Sequence, residues 1–350
     1  MSHCPAKTLE TLESRRAGPP MQVHRPRASR RAWAFCHCGE VVQGPVADEA
    51  GRIHVGLVSL RSDLFHASAA FRPDGSGRLK VLPAAKTKAL AAANLLLEHL
   101  GAGLSGTITI RNPAPVGIGF GTSTMDVTAA MACVRDNLGA RVDPGTLGRI
   151  AVAAEAASDP LMFPEHGAAI LWGPRCGRPL ETFPGPVPAV FCVAVNAGRG
   201  GEMVDTCRFA CGQRFTEADV DPFRLVLARL RYAIARQDVR ALGEASTLSA
   251  ALNQTQLHLP RFDSYLDQGR AAGSVGLAIS HSGYLVAFLF DPGEPDLEAR
   301  VDEAIRRFSA LGHREVYVFQ SPGHPEERGH AGHHGQFLPC GPETGDPRPR

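Results

Sequence analysis

The chain has 350 residues, 44% of them apolar and 21% charged, with 37 Lys/Arg against 35 Asp/Glu. That composition allows a sizeable core in two ordinary domains or one large one, and no stretch approaches the roughly 18 uninterrupted apolar residues of a membrane-crossing helix. Seven of the basic and two of the acidic residues fall in 1–31, so 32–350 carries 30 basic and 33 acidic residues, a net of −3, which argues against a nucleic-acid-binding body.

Residues 1–32 read as a disordered basic tail. They lack the apolar run of a secretory signal, and with nine Cys, an odd number, a reduced cytoplasmic setting is expected. Ordered sequence should begin near Trp33. Residues 33–38 followed by 39–44 read as a short strand meeting a tight turn. A β-rich run at 53–60 comes next, then strands at 65–71 and 79–82 joined as a hairpin through Pro73-Asp-Gly-Ser-Gly77.

The first helix is expected over 86–100, where Ala89, Leu90, Ala93, Leu96, Leu97 and Leu100 recur at helical spacing before Gly101. A strand at 107–110 leads into a glycine-rich loop, then helices at 123–138 and 144–157. The Pro/Gly cluster around 174–187 reads as a boundary between halves. Beyond it the pattern predicts a strand at 187–195, helices at 223–237 and 239–252, and strand–turn–strand over 274–290. A helix at 297–311 and a strand at 315–320 complete it. The Gly/Pro/His-rich residues 321–350 read as a disordered tail. Strands and helices mix without regular βαβ alternation, so the fold class is α+β.

The informative stretch is Pro113-Ala-Pro-Val-Gly-Ile-Gly-Phe-Gly-Thr-Ser-Thr-Met-Asp126. Gly117, Gly119 and Gly121 permit close backbone approach. Thr122, Ser123 and Thr124 place hydroxyls at a helix N-terminus, where free N–H groups and the helix dipole favour an anion. The Gly-Lys-Ser/Thr ending of a P-loop is missing, as is the strand setting of a dinucleotide fingerprint. A glycine-rich turn ahead of a helix also serves as plain capping.

Pro115-Val-Gly-Ile-Gly-Phe-Gly-Thr-Ser-Thr124 resembles the P-x-x-x-G-[LM]-[AG]-S-S-[AT] loop of the GHMP kinases, the family of galactose, homoserine and mevalonate kinases. Thr122 stands where that loop has its first Ser, and Phe120 where it has Leu or Met. Cys38-Gly-Glu-Val-Val-Gln-Gly44, Ser123-Thr-Met-Asp126, Gly243-Glu-Ala-Ser-Thr-Leu-Ser249 and Ala278-Ile-Ser-His-Ser-Gly283 are similar to motifs of one branch, the L-threonine kinases of cobalamin synthesis.

The resemblance implies a two-domain α+β fold. A mixed-sheet domain carrying the loop would span 33–183, and a ferredoxin-like domain 184–320. It implies a kinase using ATP and Mg²⁺ to phosphorylate a small hydroxy amino acid, with L-threonine as the leading acceptor. Homoserine, serine or a sugar, or a noncatalytic nucleotide-binding regulator of the same fold, are the alternatives. No nucleic-acid or membrane partner is expected, and a homodimer is the assembly it allows.

Residue by residue, Pro115, Gly117, Gly119, Gly121, Thr122, Ser123 and Thr124 would hold the nucleotide. Ser123 and Glu155 would ligate Mg²⁺, and Asp159 would orient or deprotonate the acceptor hydroxyl. Glu40, Gln43, Asp126, Ser282 and Gly283 would face the acceptor, with Asp205 and Thr206 as weaker additions. From the residues alone, Glu155 and Asp159 are also an ordinary solvated helix end, Glu40 an ordinary cap or Arg partner, and His281 a satisfied turn histidine. Cys36-His-Cys38, with His3 and Cys4 upstream, lacks the spacing of a zinc knuckle.

Overall fold

In the computed structural model the described residues are 31–163, 167–198, 214–281, 284–321 and the backbone of 336–339. Two long strands open the fold, β1 (Arg31–Ala47) and β2 (Ile53–Pro73), paired antiparallel from Arg31↔Ala70 to Ala47↔Ile53. The runs expected as separate short strands are therefore single strands that bend through register shifts. One shift positions the site. His37 pairs with Arg61 and Glu40 with Ser59, so three steps on β1 oppose two on β2. The extra residue is accommodated at Gly39, whose φ is +80°. Side chains three apart on a regular strand point to opposite faces; the bulge brings His37 and Glu40 to the same one.

The expected 65–82 hairpin is not formed. β3 (Leu79–Leu82) runs parallel to β4 (Gly106–Arg111), and β4 itself lies antiparallel against β2. The chain between β3 and β4 is α1 (Thr87–His99), long enough to carry a parallel crossover, which a hairpin turn is not. α2 (Thr122–Leu138) and α3 (Pro144–Glu155) follow. Pro sits at the start of α3, and Asp143 caps it through Thr146 N–H at 2.8 Å. β5 (Ile170–Gly173) and β6 (Arg178–Thr182) then form a hairpin where the Pro/Gly boundary was expected, and β5 touches β2 at Leu57↔Trp172.

The second half supplies β7 (Val190–Asn196), α4 (Glu217–Arg236), α5 (Val239–Asn253), α6 (Phe262–Ala271), β8 (Gly276–Ile279), β9 (Leu285–Phe290), α7 (Leu297–Ala310), β10 (Glu315–Ser321) and β11 (Gln336–Pro339). Helix α4 starts six residues before the expected 223. A capping box between Thr216 and Asp219 nucleates it upstream of Pro222. The strand order β10-β7-β9-β8 is wholly antiparallel, with α4, α5 and α6 between β7 and β8 and α7 between β9 and β10. That is a ferredoxin-like arrangement. β11 pairs with β10 over Glu315↔Pro339 to Val318↔Gln336, inside the expected disordered tail, and Arg31 and Ala32 of the expected N-terminal tail belong to β1. The backbone N–H and C=O groups of β10's outer edge are what β11 satisfies.

The whole is one continuous sheet, β11-β10-β7-β9-β8-β1-β2-β4-β3, with β5–β6 attached to β2. Alternation decides its faces. On β9, Leu285, Ala287 and Leu289 join the larger core with helices α1–α5, while Val286, Phe288 and Phe290 join a second core under α6 and α7. Both faces are covered, which is why 285–290 reads as an unbroken apolar run. The two halves of the sheet meet through a single ladder pair, Glu40↔Ile279. Gln43 reinforces that seam. Its side-chain amide donates to Ile279 C=O at 3.1 Å, while its backbone N–H and C=O bond Ser249 Oγ at 2.8 and 3.1 Å. No helix among the described residues is long and apolar enough to cross a membrane.

Candidate active site

The glycine loop enters α2 through three left-handed residues, Gly117 (φ +81°), Gly119 (φ +116°) and Gly121 (φ +68°), the last being the helix N-cap. No side chain caps α2, so the N–H groups of its first turn are available to an anion. Thr122 Oγ1 donates to Pro115 C=O at 3.0 Å and closes the loop. Phe120, at the departure from the family pattern, is fully buried edge-on against Phe65 and Tyr317, anchoring the loop to β2 and β10. Tyr284 N–H donates to Ile118 C=O at 3.1 Å, tying the loop to the second half of the chain. Glycine at 119 and 121 is demanded by the protein's own packing. A Cβ on Gly119 would lie 2.5 Å from Ser280 Oγ, and one on Gly121 2.5 Å from the His37 ring and 3.1 Å from Asp159 Oδ2.

Ser123 Oγ donates to Glu155 Oε2 at 2.6 Å, and Thr124 Oγ1 donates to Oε1 at 2.9 Å. Thr124 Oγ1 also receives Asp159 N–H at 3.4 Å and sits 3.3 Å from Asp159 Oδ2. α3 ends at Glu155 because Ala156 turns left-handed (φ +68°), and the following turn is pinned by Trp172 Nε1–H to Ser158 C=O at 2.6 Å. Arg61 donates to the carbonyls of Pro160 and Leu161, holding the turn that carries Asp159. Beside it lies a cleft lined by Val58, Ser59, Arg61, Pro160, Phe163 and Ile170 among others.

Two histidines complete the cluster. His37 Nε2 is 3.1 Å from Asp159 Oδ2 and its Nδ1 is 3.3 Å from Glu40 Oε1. His281 Nδ1 is 3.5 Å from the same Glu40 oxygen, and its backbone N–H donates to Glu40 Oε2 at 2.6 Å. All of these residues are buried. Burial pushes the Glu155 carboxyl up to about 7, against the Ser123 and Thr124 hydroxyls that favour its ionised form. For Asp159, burial works the same way, but the His37 charge and hydrogen bond outweigh it and hold the group at about 2. Burial disfavours protonation of His37, and Asp159 and Glu40 overcome it, raising that imidazole to about 9.

The residues present fit magnesium and a nucleotide. The Ser123 hydroxyl and Glu155 carboxylate form an all-oxygen donor pair of the kind a hard cation takes, 2.6 Å apart beside an uncapped helix N-terminus. His37, Glu40 and Asp159 also bring donor atoms within 4.8 Å of one another. The two carboxylates meet opposite edges of the His37 ring, however, so their closest contacts cannot converge on one cation through a single nitrogen. Cys36 and Cys38 are fully buried in the larger core. Burial raises both thiols, Cys36 to about 12.

Three expected acceptor contacts are otherwise engaged. Glu40 is enclosed and committed to the histidines, and Gln43 to the β1–β8 seam. Asp126 pairs with Lys86 Nζ and accepts from Asn112 Nδ2 at 2.9 Å, behind the glycine loop. Ser282, Gly283, Asp205 and Thr206 lie outside the described residues, as do His3 and Cys4. His37, Arg61, Lys86 and Asn112 escaped sequence reasoning. The spacing His37-Cys-Gly-Glu40, with a glycine able to take a bulge, is the signal that could have found the first of them.

Gly121→Ala is expected to lower stability by at least the roughly 1–2 kcal/mol that a left-handed alanine costs, and more once the His37 ring is displaced. Urea unfolding measures it; a wild-type midpoint would show that the ring and helix N-terminus are not in contact.

Residues 87–163 match the family model described as the GHMP kinases N terminal domain, and 230–314 the GHMP kinases C terminal model. The L-threonine kinase of Salmonella typhimurium is 25% identical over 190 residues, 54% of this chain and 61% of that protein, so the match spans less than two thirds of that relative's length. The 4-diphosphocytidyl-2-C-methyl-D-erythritol kinase of Thermobifida fusca is 32% identical over 246 residues, covering 68% of this chain and 75% of the relative. The solved homoserine kinase of Cytophaga hutchinsonii superposes with a TM-score of 0.61 at 15% identity, over 87% of this chain and 97% of that one, a likeness of fold.

Proposed function

The chain belongs to the GHMP kinases, and on that premise we propose that it transfers the γ-phosphoryl group of ATP to the hydroxyl of a small hydroxy amino acid, L-threonine first. The observation that carries the reading is the Ser123–Glu155 oxygen pair at the uncapped start of α2, with Asp159 linked to it through Thr124. The family motifs at 38–44, 243–249 and 278–283 favour the amino-acid acceptor.

Bound magnesium and ATP supply the charge neutralisation and the leaving group of an in-line transfer. The chain's residues do the rest. The first-turn N–H groups of α2 and the left-handed glycines hold the phosphates; Ser123 and Glu155 hold the cation. Asp159 accepts a hydrogen bond from the acceptor hydroxyl and aims its oxygen at phosphorus. A carboxylate held at about 2 is a weak base at neutral pH, so its contribution is orientation and late uptake of the proton. Arg61 and Trp172 fix the turn carrying it, and the flanking cleft is where the acceptor would enter.

The 32% identity to a kinase of a different alcohol favours a second reading, the same transfer to a non-amino-acid acceptor. ADP release with Mg²⁺-ATP against L-threonine, L-serine, L-homoserine and sugar alcohols decides between them. Turnover on L-threonine that is lost in Ser123→Ala supports the proposal, and turnover on another alcohol alone replaces its acceptor. Nucleotide binding without turnover on any of them leaves a noncatalytic regulator of this fold.

A further inference from the structure

We propose that His37 is a positioning residue, an imidazolium fixed between two carboxylates by Glu40 and His281 so that Asp159 is held ionised and correctly turned toward the acceptor; this rests on the phosphoryl-transfer reading above. The two ring nitrogens of His37 face different carboxylates, Nε2 Asp159 at 3.1 Å and Nδ1 Glu40 at 3.3 Å, all three side chains being buried. A neutral imidazole has one N–H and one bare lone pair. Whichever tautomer formed, one ionised carboxylate would face a bare lone pair in a buried setting. A doubly protonated ring presents an N–H and a share of positive charge to both carboxylates, and buried charges persist when they are paired in this way.

Glu40 is the hub. Its Oε1 lies between His37 and His281, and its Oε2 takes the His281 backbone N–H at 2.6 Å. His281 follows β8, and the ladder pair that joins β8 to β1 is Glu40↔Ile279. The carboxylate therefore clamps the two halves of the sheet at the point where it orients His37. The Gly39 bulge places the hub and the ring on one face, and Gly121 lets the α2 N-terminus close against the ring.

The groups facing Asp159 are His37 from β1, His281 beyond β8, Glu155 from α3 and the Thr124 hydroxyl from α2. Those facing His37 are Asp159, Glu40 and His281. The partners' pull raises both imidazoles, His37 to about 9, in the direction the geometry requires.

The test is side-chain ¹⁵N histidine NMR of the full chain against pH, with His37→Gln to assign the signal. One imidazole is expected to remain doubly protonated at about pH 8, and to lose its second proton at least about one unit lower in Asp159→Asn and in Glu40→Gln. A neutral His37 at about pH 7.5 overturns the proposal. So does a stoichiometric zinc ion in the purified chain that is lost in His37→Gln. This readout needs no turnover, so failure of the kinase reading is distinguishable from failure here.

Where an acceptor is phosphorylated, His37→Gln should move the acid limb of kcat/KM upward by at least about one pH unit, with the KM for ATP unchanged and His37→Lys restoring part of the shift. An equal loss at every pH, unrelieved by lysine, assigns His37 a packing role and overturns the proposal. If His37→Gln does not fold, the Asp159→Asn and Glu40→Gln titrations decide the matter, with the wild-type signal assigned from its response to them.

Discussion

Glu155→Gln is expected to lower kcat by about 10²–10³-fold while the protein stays folded, the scale seen when a single group stabilising transferred charge is removed. Glutamine keeps the size and one oxygen of Glu155, so Ser123 and Thr124 retain a partner, but the negative charge that would hold a divalent cation is gone. Stability should move the opposite way. Burial raises the Glu155 carboxyl to about 7, above its ordinary 4.5, so the folded chain binds a proton the unfolded chain has released. With magnesium withheld, the wild-type protein therefore loses stability as pH rises from about 4.5 to about 7 on account of this group. The glutamine variant does not, so the difference between them opens over that window and then stays constant. Thermal unfolding in EDTA at several pH values, beside steady-state kinetics in saturating magnesium, measures both effects. Unchanged kcat would remove Glu155 from the site, and a melting temperature lowered equally at every pH would make it a structural residue.

Gly243→Ala carries the largest expected effect on the fold. Alanine is ordinarily the better helix residue by about 1 kcal/mol. Here a Cβ would stand 2.2 Å from Val275 C=O and 2.5 Å from its carbonyl carbon, and a Cβ on Gly276 would stand 2.2 Å from Gly243 C=O. Helix α5 and strand β8 touch backbone to backbone, and neither side can rotate away. The adjoining bonds, Ser246 Oγ to Leu277 C=O at 2.9 Å and Leu277 N–H to Thr247 Oγ1 at 3.0 Å, need the same approach. Overpacking of this severity should cost about 3 kcal/mol or more, several times the gain in propensity. A urea midpoint equal to wild type would mean the helix and strand stand farther apart than the structure has them.

That glycine shows what a motif conceals. Gly243-Glu-Ala-Ser-Thr-Leu-Ser249 is readable as a family signature, yet its Gly243, Ser246, Thr247 and Ser249 spend themselves on β8 and on Gln43. The same applies to Gln43 and Asp126, expected at the acceptor and found bracing the scaffold. Motif residues here are bound to the scaffold, and spacing does not distinguish that from binding a ligand.

What the sequence by itself determined is local and periodic. It set the α+β class and most of the helices, and it announced the glycine loop, whose glycines are a local signal of positive φ. It also supplied Ser123 and Glu155 as residue types suited to a cation, through the family pattern. Tertiary structure alone decided the rest. β4 slid between β2 and β3 because a helical crossover, and no hairpin, joins β3 to it. α6, only ten residues long, acquired its place by packing Phe262 and Tyr265 into the second core. The Gly39 bulge turned His37 from the face opposite Glu40 to the same face, and the β1–β8 seam brought His281 across 241 residues of chain to Glu40. The separation of the Glu155 and Asp159 carboxyls, about 7 and about 2, comes from burial of the first and the His37 charge beside the second, and exists only once these distant segments close together. Side-chain charge in a protein interior is set by its enclosing neighbours, and those are gathered by the sheet rather than by position along the chain.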